Sequence, residues 1–287
     1  MPHPVTALNK CLENTGEHKM KASGIITLTT DFGLSDPYVA MMKGVILSIN
    51  PDARLIDISH QIRVGAITQA AGIIRETYPF FPTGTVHVAV IDPTVGSRRR
   101  PIGLAVGGHL FVGPDNGIFW PVMEDRKDRR ITHLNEGRYF LSRITHTFHG
   151  REVFAPVAAH LSLGDNLERM GPDILDPVTL AAKTASRKGK TYVGQVIRVD
   201  NFGNLITNIH REALKSFLGS ARPMIKMGNL SIEGLSKIYA DAKKGEPLAL
   251  INSSDLLEIA INLGRADGYM GIKPEDTMGI EVKVDRT

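Results

Sequence analysis

Asp92, the three consecutive arginines Arg98, Arg99 and Arg100, and His149 are the residues whose types could do chemistry together. Asp92 ends a run of β-branched and apolar residues, Thr85 to Ile91, that reads as a buried strand. Pro93 and Gly96 then turn the chain before the arginines arrive. In an open α/β sheet, ligands sit beyond the carboxyl ends of the strands, so a carboxylate and a guanidinium at this point face a pocket. His149 stands just before a helical pattern, where the helix dipole disfavours the imidazolium and leaves a neutral base. The plain alternative is that Asp92 caps its turn, the arginines are solvated, and His149 packs or caps.

Other polar groups fall at element ends. Asp31 follows a first strand in Thr30-Asp31-Phe32-Gly33, where a carboxylate suits sugar hydroxyls, and Asp36 on the same loop suits an ammonium group. Either could instead cap the helix that opens at Pro37. The Asp31-Phe32-Gly33 triplet is not a kinase metal-binding element, because no Gly-rich loop and no His-Arg-Asp segment accompany it. Gly189-Lys190-Thr191 is not a phosphate loop, because Thr184 stands where its first glycine is required. Asp200-Asn201-Phe202-Gly203-Asn204 reads as a turn between two strands, or as an amide, a carboxylate and an aromatic ring meeting a polar ligand. His146 and His149 are three apart with no third ligand evident, so no metal site is expected.

The elements that must carry these groups alternate strand and helix in the first half. Strands are expected over 24–29, 54–59, 85–91, 102–106 and 110–112. One helix is expected from Pro37 with Tyr38, Met42, Val45 and Ile49 on a face. A second carries Val64, Ile67, Ala71, Ile74 and Tyr78, and a third carries Phe154, Val157, Ala158 and Leu161. This β-α-β order predicts a mostly parallel sheet with covering helices. A basic stretch, Thr184 to Lys190, reads as a linker. Beyond it, short strand-like pieces over 192–199, 205–208, 247–251 and 279–284 predict an all-β, barrel-like domain. The expected organisation is an N-terminal extension over 1–23, an α/β domain over 24–185 and a β-barrel-like domain over 191–287.

Composition sets limits. The chain has 287 residues, 42% of them hydrophobic, and a formal net charge of +4, with a mean hydropathy of -0.06 and a pI near 9.1. That basic excess is too small to imply nucleic-acid binding. The single cysteine, Cys11, permits no internal disulfide and fits a reducing cytoplasm. Residues 1–23 have no apolar core of a signal peptide and read as a flexible extension, and no segment has the apolar length of a membrane span.

Taken together, Thr29–Gly33, Ile91–Gly96, Phe148–Arg151 and Asp200–Asn204 follow an order found in one family. Over residues 24 to 287 the chain resembles the S-adenosyl-L-methionine hydroxide adenosyltransferases, relatives of the adenosyl fluorinases and chlorinases. The resemblance implies an N-terminal α/β domain, a C-terminal β-barrel domain, and a homotrimer with sites between subunits. It implies hydrolysis of S-adenosyl-L-methionine to adenosine and methionine, a small-molecule substrate attacked at its 5′ carbon with no cofactor. The family's water-activating Asp-Arg-His set falls on Asp92, Arg99 and His149. Asp31 matches the position at the ribose hydroxyls, Asp36 and Asp200 those near the methionine ammonium, and Phe202 and Asn204 those at adenine. Where the fluorinase holds the methionine carboxylate with an arginine, this chain has Ser254. The resemblance therefore leaves that group to Ser253, Ser254 or backbone N–H groups.

The halogenating relatives carry a tyrosine where Asp92 stands, and the fluorinase has a serine at the place of Gly150. A carboxylate beside the nucleophile repels halide, so Asp92 argues for water. Two rivals stay open at this point: a halide-using, chlorinase-like transferase, and a non-catalytic protein that binds S-adenosylmethionine or adenosine. An RNA-binding role for the basic β-domain is weakened because few exposed-type aromatics stand beside basic residues in 191–287.

Overall fold

The computed structural model describes residues 21–124, 126–181, 184–272 and 279–287. Cys11 and most of the expected N-terminal extension lie outside them. Two compact units divide the chain. The first comprises the described residues up to Gln61 with Phe80–Asp115 and Met123–Pro177, and the second Ile62–Pro79, Asn116–Val122 and Val178–Thr287.

Six strands build the sheet of the first unit: β1 (Ile25–Thr30), β2 (Arg54–Ser59), β3 (Val86–Val90), β4 (Pro101–Val106), β5 (His109–Pro114) and β6 (Arg130–His133), in the order β2-β1-β3-β5-β4-β6. The pairs β1–β2, β1–β3 and β3–β5 are parallel. Only β4 runs against the rest, antiparallel to both β5 and β6. The cause is local: Gly107 and Gly108 have φ of +59° and +77°, the paired left-handed conformation of a two-residue hairpin turn. The mostly parallel sheet is therefore a mixed one with a single reversed strand.

Of the face expected to point inward on helix α1 (Tyr38–Ile49), Met42 is buried and Val45 and Ile49 pack against the core, joined by Val39 and Ile46, whereas Tyr38 is 46% exposed. A further helix (Ala155–Ser162) is buried on nearly every side because its sequence is almost entirely small or apolar. Both pack with Ile26, Leu28, Val88 and Val90 into one core. Helix α2 (Ile67–Thr77), grouped with the second unit, starts three residues after Val64, which is 84% exposed in the preceding turn. A short α3 (Trp120–Met123) precedes the Ala155–Ser162 helix, α4.

The second unit holds β7 (Ser186–Lys188), β8 (Thr191–Val199), β9 (Leu205–His210), β10 (Pro223–Met227), β11 (Leu230–Glu233), β12 (Pro247–Ile251), β13 (Leu256–Ile261) and β14 (Glu281–Arg286). Every ladder is antiparallel, in the order β11-β10-β14-β8-β9-β13-β12, with β7 beside β8. A bridge from Ser236, just past β11, to Leu250 in β12 nearly closes the sheet on itself. The barrel-like expectation is met, and the stretch read as a linker contributes β7. Strand β13 is an apolar run of helix-or-strand ambiguity, and its pairing with β9 and β12 decides it. Helices α5 (Arg211–Leu218) and α6 (Ala266–Tyr269) complete the unit. No helix among the described residues is long and apolar enough to cross a membrane.

Candidate active site

The carboxyl end of β3 runs into two successive turns, with Val95 N–H donating to the Asp92 carbonyl at 3.2 Å and Ser97 N–H to that of Thr94 at 3.1 Å. Gly96 lies between them at φ +77°, and a Cβ there would stand 2.2 Å from the His146 carbonyl oxygen. Only glycine permits this approach, which seats the 92–99 loop on the segment leading to His149. The loop folds back so that Arg99 meets Asp92: Nε donates to Oδ1 at 3.0 Å and Oδ2 at 2.9 Å, and Nη2 to Oδ2 at 2.5 Å. Both side chains are almost fully buried, the setting in which a charge needs a close partner.

His149 comes to the same guanidinium from a different element. It precedes a π-helical turn, Gly150–Phe154, whose wider winding buries Glu152 completely. The Glu152 carboxylate accepts from Thr145 N–H at 2.6 Å and from its hydroxyl at 3.0 Å, which closes the 145–149 loop. Arg99 Nη2 lies 2.8 Å from His149 Nδ1. An arginine can only donate, so Nδ1 is the acceptor and the ring proton sits on Nε2. Burial pushes the His149 pKa down and the Arg99 guanidinium pushes the same way, against Asp92, the Thr145 backbone and Glu152. The other guanidinium nitrogen, Arg99 Nη1, is buried and has no hydrogen-bond partner among the described residues.

The neighbouring arginines differ. Arg98 is exposed, as a solvated side chain should be. Arg100 is not merely solvated: it holds Asp115 at 2.7 Å and Asp176 at 2.8 Å.

Asp31 follows β1 and is half-buried, whereas Asp36 is exposed. The N-cap of α1 is Pro37, without a side-chain capping bond, so Asp36 does not occupy the capping position itself. Their loop reaches the His149 segment through aromatic edges: the Phe32 ring centre is 5.8 Å from that of Phe148, and Tyr38 stands 5.2 Å from Phe148. Among the described residues, no three His, Cys, Asp or Glu are placed to hold a metal ion.

In the second unit, Asp200 organises its own turn. Oδ1 accepts from Phe202 N–H at 2.9 Å and Asn204 N–H at 2.8 Å, and Oδ2 from the Asn204 amide at 3.1 Å. This commits Asn204, 6% exposed, and leaves the Phe202 ring 74% exposed at the tip. Arg265 and Asp267, neither legible as site residues, brace the turn: Arg265 Nη1 donates to the Asn201 carbonyl at 3.0 Å, and Asp267 N–H to that of Gly203 at 3.0 Å. Ser253 and Ser254 do not join this turn. In the β9–β13 ladder Leu205 faces Ile259 and His210 faces Leu256, so the two segments lie at opposite ends of it. Ser253 is exposed. The Ser254 hydroxyl donates to Glu76 at 3.1 Å, and Arg198 Nη2 donates to the same oxygen at 2.6 Å. Sequence reading missed Glu76 and Arg198 because 122 positions separate them.

The family model described as the SAM hydroxide adenosyltransferase N-terminal domain matches residues 26–171, and that of its C-terminal domain residues 194–279. The chain belongs to the SAM hydroxide adenosyltransferase family. Its relatives include the (R)-S-adenosyl-L-methionine hydrolases of Salinispora arenicola, 35% identical over 91% of this chain and 99% of theirs, and of Methanocaldococcus jannaschii, 38% identical over 89% and 95%. Proteins named fluorinase match at a lower 27% identity. The crystal structure of a conserved protein from Thermotoga maritima superimposes with a TM-score of 0.83 at 33% identity, covering 91% of this chain and 100% of that one. The two matched ranges include every residue expected at the site: the first contains Asp31, Asp36, Asp92, Arg99 and His149, the second Asp200, Phe202, Asn204, Ser253 and Ser254.

Proposed function

We propose that the protein hydrolyses (R)-S-adenosyl-L-methionine to adenosine and L-methionine. The observation that carries this reading is the Asp92–Arg99–His149 contact, its ion pair buried, with the two N–H groups of Arg99 Nη1 left over. The (R) configuration rests on the names of its relatives. Water attacks the 5′ carbon as the bond from that carbon to sulfur breaks, and sulfur keeps both electrons, becoming the neutral thioether of methionine. A positively charged leaving group needs no acid or cofactor to expel it, so the site's work falls on the nucleophile.

Arg99 Nη1 is the donor available to the attacking oxygen, and it favours hydroxide character there. His149 accepts from Nη2 and thereby fixes the plane of the guanidinium; with Nδ1 so engaged, it is not the group that takes the water's proton. Asp92 Oδ1 carries one contact from Arg99 against two on Oδ2, and its remaining lone pairs accept that proton before solvent does. The same carboxylate repels halide, which separates this reading from the halide-using one. In this reading Asp31 meets the ribose hydroxyls, Asp36 and Asp200 lie toward the ammonium, and Phe202 stacks on adenine beside Asn204. Ser253 and Ser254 meet the carboxylate, and the protein works as a homotrimer whose sites join the 24–185 domain of one subunit to the 191–287 domain of the next.

The test is chromatography of nucleosides after incubation with each sulfonium epimer, with and without chloride. Free adenosine from the (R) epimer, lost in Asp92→Ala and Arg99→Ala, is expected. A 5′-chlorinated nucleoside would establish the halide reaction, and ligand that binds without turnover would refute catalysis.

A further inference from the structure

Outside the residues just assigned, a chain of polar contacts, buried at its inner end, stops directly beneath Asp31. Thr30, the last residue of β1, is fully buried and His60 is 4% exposed. The Thr30 hydroxyl lies 2.8 Å from His60 Nδ1. It also accepts from Phe32 N–H at 3.3 Å, and Gly33 N–H donates to the His60 carbonyl at 2.8 Å. The backbone on both sides of Asp31 is thus tied to one histidine. On the far side, His60 Nε2 stands 3.0 Å from Asp57 Oδ1, and Lys43 Nζ donates to Asp57 Oδ2 at 2.6 Å. Lys43 belongs to α1, the helix that begins where the Asp31–Asp36 loop ends. Both ends of that loop are therefore anchored to the segment that closes β2.

A buried histidine tied to a threonine hydroxyl needs a reason, since burying these groups is costly unless each is paired. Apolar residues would fill the same space. What the polar pair adds is direction: it fixes the turn in which Asp31 leaves the sheet, and a preorganised carboxylate loses less freedom when it binds.

We infer that Thr30 and His60 are positioning residues that hold Asp31 for the ribose hydroxyls of the substrate, an inference that rests on the nucleoside reading given above. Neither touches the reacting atoms. Their loss therefore weakens binding and leaves the chemical step nearly intact.

The experiment compares Thr30→Val, His60→Ala, their double variant and His60→Asn, whose amide can replace Nδ1 toward Thr30. Adenosine affinity is read by calorimetry, and KM and kcat by adenosine release. Thr30→Val and His60→Ala should each raise the adenosine Kd and the substrate KM about tenfold, the scale of one unmade buried hydrogen bond, with kcat changed less than twofold. The double variant should be no worse than either single one, and His60→Asn should restore most of the affinity. Thr30→Val preserves volume, so it decides the matter even where His60→Ala does not fold. Unchanged Kd and KM in folded Thr30→Val would overturn the inference, as would additive losses in the double variant. Wild-type protein that binds adenosine yet releases none would refute hydrolysis while the Kd comparison still judges Thr30 and His60; failure to bind adenosine would overturn both.

Discussion

Replacing Gly96 with alanine tests whether the turn after β3 positions the candidate site. The added Cβ would sit 2.2 Å from the His146 carbonyl oxygen, where ordinary contact begins at 3.4 Å, so the two segments must part by about 1.2 Å. The same residue has φ +77°, a conformation that costs a non-glycine residue roughly 1–2 kcal/mol. Strain and separation together should cost about 2–4 kcal/mol of stability. The parting runs between the loop that ends at Arg99 and the one that leads to His149, so their 2.8 Å contact is the first to be lost. A misplacement near 1 Å at reacting groups can cost on the order of a hundredfold in rate. Urea unfolding gives the stability, and adenosine release gives kcat at saturating substrate. Gly137→Ala is the control, because a Cβ there meets nothing within 4 Å and its φ is not positive. A Gly96→Ala protein that folds with wild-type kcat would refute the positioning argument.

Four further outcomes follow from the geometry. Glu152→Gln weakens the closure on Thr145 and should lower kcat about tenfold with little change in KM, measured by adenosine release. His149→Ala frees the guanidinium and should lower kcat; a return of activity with added imidazole would support orientation through Nδ1, and an unchanged rate without it would refute the role. Arg265→Ala removes a brace of the Asp200–Asn204 turn and should raise the adenosine Kd, read by calorimetry, while kcat stays near wild type. His87 concerns stability: burial first, then His109, lowers its pKa from 6.5 to about 3. The unfolded chain therefore takes up a proton near pH 6.5 that the folded one refuses until about 3. Its contribution to stability is complete above pH 6.5 and is lost as pH falls toward 3, amounting to roughly 4–5 kcal/mol at most. Urea midpoints across that window should fall steeply in the wild type and less in His87→Gln; parallel slopes would refute the assignment.

Much of the framework was legible in local pattern. The β-branched run before Asp92, the proline that opens α1 and the helix–strand alternation all express short-range physics. So does the placement of Asp31 and Asp92 at the carboxyl ends of β1 and β3. Periodicity placed Met42, Val45 and Ile49 of α1 toward the core but erred at Tyr38 and passed over Val39 and Ile46, because α4 and the sheet together decide which residues are covered. It also passed over β10, β11 and β13, whose identity depends on partners distant in sequence.

For the site itself, local sequence specifies the ingredients: a carboxylate after a strand, three adjacent guanidiniums, and a histidine before a helix. Nothing local distinguishes Arg98, Arg99 and Arg100, and only family resemblance pointed to the middle one. Tertiary structure separated them, since Arg98 meets solvent, Arg100 turns to Asp115 and Asp176, and Arg99 alone lies against Asp92 and His149. It also decided that His149 presents Nδ1 to an obligate donor, and that Ser254 and Arg198 meet at Glu76. The forces differ in range: propensity and patterning act over a few residues, whereas a hydrogen bond between partly buried groups 50 or 178 positions apart exists only once the chain has folded.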